Sequence, residues 1–273
     1  MKDIALFYIA GPVWMAVFGF VFFVIFAAIY NLFARRLGGI EVELTEKQHH
    51  YLVHVMRRDL GDEIVLFNGR DGEWRGKLEI LLKKSGRIVI LDQLREQKLE
   101  ADLWLVFAML KRGPIDFVTE KASELGVSKL CPVITGRTNS TKVNLDRLKL
   151  IAMEAAEQCG RLTVPGICKP QRLEQVLSNW PEGRGLVLLD ESGAGKPIAE
   201  VMADRPYQNG DAICIGPEGG FESTELEYMK NLSFVTSASI GRRLLRAETA
   251  AIAALAVWQA LAGDWIKEQM VSY

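Results

Sequence analysis

The chain has almost no net charge. Its 33 basic and 34 acidic side chains leave −1 over 273 residues, which excludes a globally cationic nucleic-acid coat. Cysteine is scarce. The four, at positions 131, 159, 168 and 214, never form C-x-x-C, so a disulfide scaffold and the common zinc-finger spacing are excluded. No G-x-G-x-x-G follows an apolar strand run, which argues against a conventional dinucleotide or methyl-donor Rossmann loop. Gly193-Ala-Gly-Lys196 lacks the earlier glycine of a phosphate loop, since Asp190 stands there and Pro197 follows the lysine. There is no internal repeat and no low-complexity linker.

Charge is absent altogether from Ile4 to Ala34, a run of 31 residues of which 27 are hydrophobic. Val13–Leu32 has the length of a membrane-spanning helix, and Arg35 and Arg36 follow it. By the positive-inside rule its C-terminal side faces the cytoplasm. The rest of the chain has an ordinary soluble composition. The spacing therefore predicts an apolar leader over 1–37 and a soluble protein after it.

Residues 38–98 read as a small β-rich unit. Ile40–Leu44 alternates like a half-buried strand. Thr45-Glu-Lys-Gln48 has capping-box spacing, with a helix expected through Arg58. Three further strands are expected at Glu63–Asn68, Glu73–Leu82 and Gly86–Leu94. From residue 99 the rhythm becomes apolar strand alternating with helix, the pattern of a parallel sheet covered on both faces.

Ligands of such sheets bind beyond the carboxyl ends of the strands. Two loops there stand out. Gly216-Pro-Glu-Gly-Gly-Phe221 follows an apolar strand, and its glycines allow backbone N–H groups to approach a ligand. Gly241-Arg-Arg-Leu-Leu-Arg-Ala-Glu-Thr-Ala250 places three arginines, a glutamate and a threonine between a strand and an apolar helix. A plain turn and a basic helix entry are the alternatives. In the β unit, His50, His54 and Arg57 share one helix face at i, i+4 and i+7. They suit an anion better than a metal, because no third ligand and no HExxH glutamate stand nearby. Any RNA contact must use local basic patches, such as Arg57/Arg58, Arg137, Arg161 and Arg242/Arg243/Arg246.

These two loops resemble the paired signature of SPOUT-type, trefoil-knotted methyltransferases, and specifically the bacterial 16S ribosomal RNA uracil-N3 methyltransferases, the RsmE family. Gln48-His-His-Tyr-Leu-Val-His-Val-Met-Arg57, Lys121-Ala-Ser-Glu-Leu-Gly-Val127 and Glu154-Ala-Ala-Glu-Gln-Cys-Gly-Arg161 match it too, so the likeness runs from about Ile40 to Trp265. The resemblance implies an α/β protein: a PUA-like small β-barrel domain, then a knotted α/β methyltransferase domain, with the apolar helix as an addition. It also implies S-adenosylmethionine as donor, a homodimer with the active site at the subunit interface, and a uridine of small-subunit ribosomal RNA methylated at N3.

Carried onto this sequence, the donor pocket falls on Leu189, Gly216, Pro217, Gly219, Ile240, Gly241, Leu244, Leu245 and Thr249. Arg246 is expected to stabilise the uracil anion, and Glu218 or Glu248 to accept the N3 proton. His50, Arg57, Arg137 and Arg161 are expected to hold RNA phosphates, and no metal is expected. The enzyme would work in the cytoplasm, with the leader as a tether to the inner membrane. A related methyltransferase acting on ribose or transfer RNA, or an inactive membrane-anchored RNA-binding protein, are the other readings. One departure from the family is Glu222, where a serine usually caps the helix.

Overall fold

The computed structural model describes residues 40–82, 85–98, 100–138, 142–204 and 210–266. The expected leader lies outside them, and among them no helix is long and apolar enough to cross a membrane. The chain divides into two compact units between Glu96 and Gln97.

The first unit contains strands β1 (Glu41–Glu43), β2 (Glu63–Phe67), β3 (Glu73–Leu81) and β4 (Gly86–Arg95), with helix α1 (Glu46–His50) after β1. The strands form an antiparallel sheet in the order β1-β4-β3-β2. Among the described residues β1 and β2 are the two ends of this path. Its core is Leu52, Ile64, Leu78 and Ile88, every second residue of each strand facing one side.

The capping box forms: the Thr45 amide donates to Gln48 Oε1 at 3.0 Å, and the Gln48 amide donates to Thr45 Oγ1 at 3.4 Å. The helix then departs from expectation. After His50 it widens into a π-helical turn over Tyr51–Val55, with the Met56 amide donating to the Tyr51 carbonyl at 2.9 Å. It does not reach Arg58. Arg57 has φ +52°, the left-handed region that a non-glycine residue enters only where a helix or turn ends.

The second unit runs β5 (Leu103–Ala108), α2 (Arg112–Glu124), β6 (Lys129–Ile134), α3 (Leu145–Cys159), β7 (Gly166–Ile167), β8 (Gln171–Arg172), α4 (Leu173–Ser178), β9 (Gly185–Leu189), β10 (Lys196–Pro197), α5 (Ile198–Ala203), β11 (Asp211–Ile215), α6 (Ser223–Lys230), β12 (Val235–Ser239) and α7 (Ala247–Leu261). The sheet order is β10-β12-β9-β11-β5-β6-β7, with β8 also on β6. Every pairing is parallel.

Alternation splits the apolar strands between two cores. Val187, Leu189, Ile213 and Ile215 face α2, α5 and α7, whereas Leu186, Leu188, Ala212 and Cys214 face α4 and α6. That is why these strands are apolar without a break. At the amino ends of the strands, the Trp258 indole N–H donates to buried Asp211 at 2.9 Å. Arg184 lies 3.9 Å over the Trp104 ring and donates to the carbonyls of Asp102 and Asp211.

In Gly193-Ala-Gly-Lys196, Gly193 has φ +75° with open space around it, whereas Gly195 has a packing reason. A Cβ on Gly195 would fall 2.7–2.9 Å from the backbone of Ala238 in β12, and backbone cannot yield as a side chain can. Gly195→Ala should therefore lower unfolding stability by about 1–3 kcal/mol in urea titration. An unchanged midpoint would show that β10 and β12 are not held this closely.

Candidate functional site

β9 pairs with β11 on one side and β12 on the other, all parallel, so the segments leaving their carboxyl ends emerge at one edge. They enclose a cavity of about 330 Å3, inside the size range of small-ligand sites. Its lining mixes apolar Leu189, Ile215, Phe221, Ala238, Ile240 and Leu245 with polar Asp190, Glu191, Glu218 and three arginines.

Each segment has a local reason for its course. The Gly220 amide donates to the Pro217 carbonyl at 2.9 Å, closing a tight turn. Gly220 has φ +70°, and a Cβ there would strike the Glu191 carboxylate. Glu222 takes the capping position of α6, its amide donating to Glu225 Oε2 at 2.9 Å. The glutamate that departs from the family pattern thus still caps the helix. Gly241 has φ +98° with open space around it, so conformation rather than crowding requires glycine.

Of the expected donor-pocket residues, Leu189, Gly216, Pro217, Ile240, Gly241, Leu244 and Leu245 line the cavity, as do Glu218 and Arg246. Leu244 does so while 83% exposed. Gly219, Thr249 and Glu248 do not line it. Gly219 lies against the Arg137 side chain. Helix α7 begins at Ala247; Ala247 and Ala250 line the cavity from its first turn, and Thr249 is exposed. Among the described residues Arg242, Arg243 and Arg246 have no ion-pair partner, and all three are exposed. Unpaired guanidiniums at a cleft suit an anionic ligand or developing negative charge.

The remaining basic candidates separate. Arg137 is exposed and donates to the Gly219 carbonyl at 2.7 Å, so it lies beside the glycine turn. Beside it, the Gly136 amide donates to Glu225 at 2.8 Å. Arg161 is a correction. Its side chain is only 10% exposed and donates to Glu100, Thr163 and the carbonyls of Ser123 and Val127, so its donors are turned inward and not offered to phosphate. In the first unit His50 and His54 are exposed with rings 4.6 Å apart. Arg57 lies beyond the π turn rather than on their helix face. Among the described residues no group of three or more metal-ligating side chains exists.

Sequence reasoning missed Asp190. It lies between β9 and the cavity, 4% exposed. Burial alone would raise its pKa, but Lys230 Nζ at 2.6 Å and the Ser192 amide outweigh burial and hold it below the ordinary carboxylate value. A depressed carboxylate stabilises the fold above its unfolded pKa and loses that contribution as pH falls through the folded value. Lys230→Met should cost about 1–2 kcal/mol at pH 7, a discounted figure because the lysine side chain is 36% exposed. The difference from the parent should shrink as the pH drops below about 4. Urea melts at pH 7 and at pH 3 check this, and a difference that does not shrink would remove Asp190 from the account.

Comparison with known proteins places this geometry among relatives. A family model described as an RNA methyltransferase domain matches residues 97–259, and an RNA methyltransferase PUA domain matches 44–91. Ribosomal RNA small subunit methyltransferase E of Rickettsia conorii is 33% identical over 225 residues, 82% of this chain and 91% of its own. A methyltransferase of Legionella pneumophila, solved with bound cofactor SAM, shares 32% identity at a TM-score of 0.72, over 83% of this chain and 94% of that one. Ribosomal RNA small subunit methyltransferase E of Neisseria gonorrhoeae, solved with S-adenosyl methionine, shares 26% identity at a TM-score of 0.73, with the same coverage.

Proposed function

The chain belongs to the RNA methyltransferase family, and from that premise we propose that it methylates N3 of one uridine in 16S ribosomal RNA, using S-adenosylmethionine. The observation that carries the proposal is the meeting of the Gly216–Phe221 turn and the Ile240–Ala247 segment in one half-apolar cavity. Leu189, Ile240 and Leu245 suit the face of a purine, and the glycine-turn amides suit its polar edge, so the residues present fit the donor. When bound, S-adenosylmethionine supplies an electrophilic methyl group.

The chain's own residues prepare the acceptor. Uracil N3 must lose its proton, and the resulting anion spreads onto two carbonyl oxygens. Arg246, unpaired and lining the cavity, is the cation assigned to those oxygens. Glu218 also lines the cavity and Glu248 does not, which favours Glu218 as proton acceptor. Arg137, next to the glycine turn, and His50 and Arg57 on the PUA unit are assigned to RNA phosphates.

The trefoil-knotted chain path and a homodimer with its active site at the subunit interface are part of the same proposal. So is work in the cytoplasm, where ribosomes are. The charge-free stretch 4–34 followed by Arg35 and Arg36 supports a tether to the inner membrane, though nothing in the chemistry uses it.

Small subunits from a strain lacking the protein should lack one N3-methyluridine in 16S RNA, and adding protein and donor should restore it, as read by mass spectrometry of RNA fragments. A retained N3-methyluridine contradicts the proposal, and a restored methyl on ribose would assign a different acceptor atom. Arg246→Ala should lower turnover by roughly 10²-fold or more while donor still raises the melting temperature. Turnover equal to the parent's would remove Arg246 from its role.

A further inference from the structure

Two cysteines far apart in sequence stand side by side in the sheet. Cys131 is on β6 and Cys168 directly follows β7. These strands pair in parallel with Leu130 opposite Ile167, and the Cys168 amide donates to the Leu130 carbonyl at 2.9 Å. The next residues along, Cys131 and Cys168, therefore face each other, with sulfurs 3.5 Å apart. Both are free thiols. Neighbouring strands lie about 4.7–4.9 Å apart, within the Cα separation of about 4.4–6.8 Å that a disulfide bridges. Closure needs the sulfurs to move together, not the strands.

The two thiols are unequal. Cys131 is 5% exposed, whereas Cys168 is half-buried and reaches solvent. Their mutual hydrogen bond draws the Cys168 thiol down to about 6, against the opposing effect of burial and with help from Lys129, and it pushes Cys131 up. An accessible thiolate backed by a resolving thiol is the arrangement of oxidation-sensitive cysteine pairs. Cys214 is the contrast: buried, it is pushed up to about 12. None of these cysteines lines the cavity, so the pair stands apart from the methylating groups.

We propose that Cys131 and Cys168 form a reversible oxidation site that hydrogen peroxide closes to a disulfide. The Cys168 thiolate attacks one peroxide oxygen, the O–O bond breaks, and water leaves after taking up a proton, giving a sulfenic acid. The Cys131 sulfur then attacks that sulfur. The S–S bond forms, the S–O bond breaks, and hydroxide leaves as water with the Cys131 proton. Two thiols and one peroxide thus become one disulfide and two waters. The two sulfurs together lose two electrons and the peroxide gains them. In a reducing cytosol the dithiol is the resting form.

The full-length protein treated with hydrogen peroxide and digested without reductant should give a peptide linking Cys131 to Cys168, two hydrogens lighter than its parts, and dithiothreitol should abolish it. In Cys131→Ser, Cys168 should stop at a sulfenic acid trapped by dimedone. In Cys168→Ser, Cys131 should remain a thiol. Oxidation of parent Cys168 to sulfinic or sulfonic acid without the linked peptide would overturn the proposal, and so would prior modification of Cys159 or no reaction at all.

Discussion

Parallel pairing of β9 between β11 and β12 is the constraint on which the site depends. Parallel strands deliver their following segments to the same edge, so three stretches separated by tens of residues leave the sheet side by side. The glycine turn, the arginine segment and Asp190–Glu191 have no other reason to meet. The sheet is rigid because both faces are covered, Val187 and Ile213 against one set of helices and Leu188 and Cys214 against the other.

Charge is arranged around this edge by what is paired and what is not. Asp190 is buried but answered by Lys230, and Arg161 and Arg184 are consumed by carboxylates and carbonyls of the scaffold. Arg242, Arg243 and Arg246 are left without ion-pair partners among the described residues. A near-neutral chain thereby keeps three guanidiniums without ion-pair partners along the cavity lining, a local feature that net charge alone conceals.

Much of this was legible in the sequence, and the rest failed for physical reasons. The alternation of apolar strand and helix from residue 99 identified the parallel sheet, and glycine placement identified the two loops, because both signals are local. Arg57 was misplaced because a π turn changes helical phase without a clear composition cue. Arg161 was read as a phosphate contact because a basic residue looks the same in sequence whether it faces water or the carbonyls of Ser123 and Val127. Thr249 stands exposed on the first turn of α7 rather than in the cavity lining, a matter of helical phase that composition does not show. Pairings over long sequence separations, such as Asp190 with Lys230, Arg137 with Gly219, and Cys131 with Cys168, are products of strand order and leave no local mark.

The central claim is that the glycine turn and the arginine segment form one donor pocket. Amide hydrogen exchange of the protein with and without S-adenosylmethionine tests it most directly, since exchange reports local opening segment by segment. The account predicts slowed exchange in both Gly216–Phe221 and Ile240–Ala247, with little change in β1–β4. Protection of only one of the two segments, or protection centred elsewhere, would contradict it.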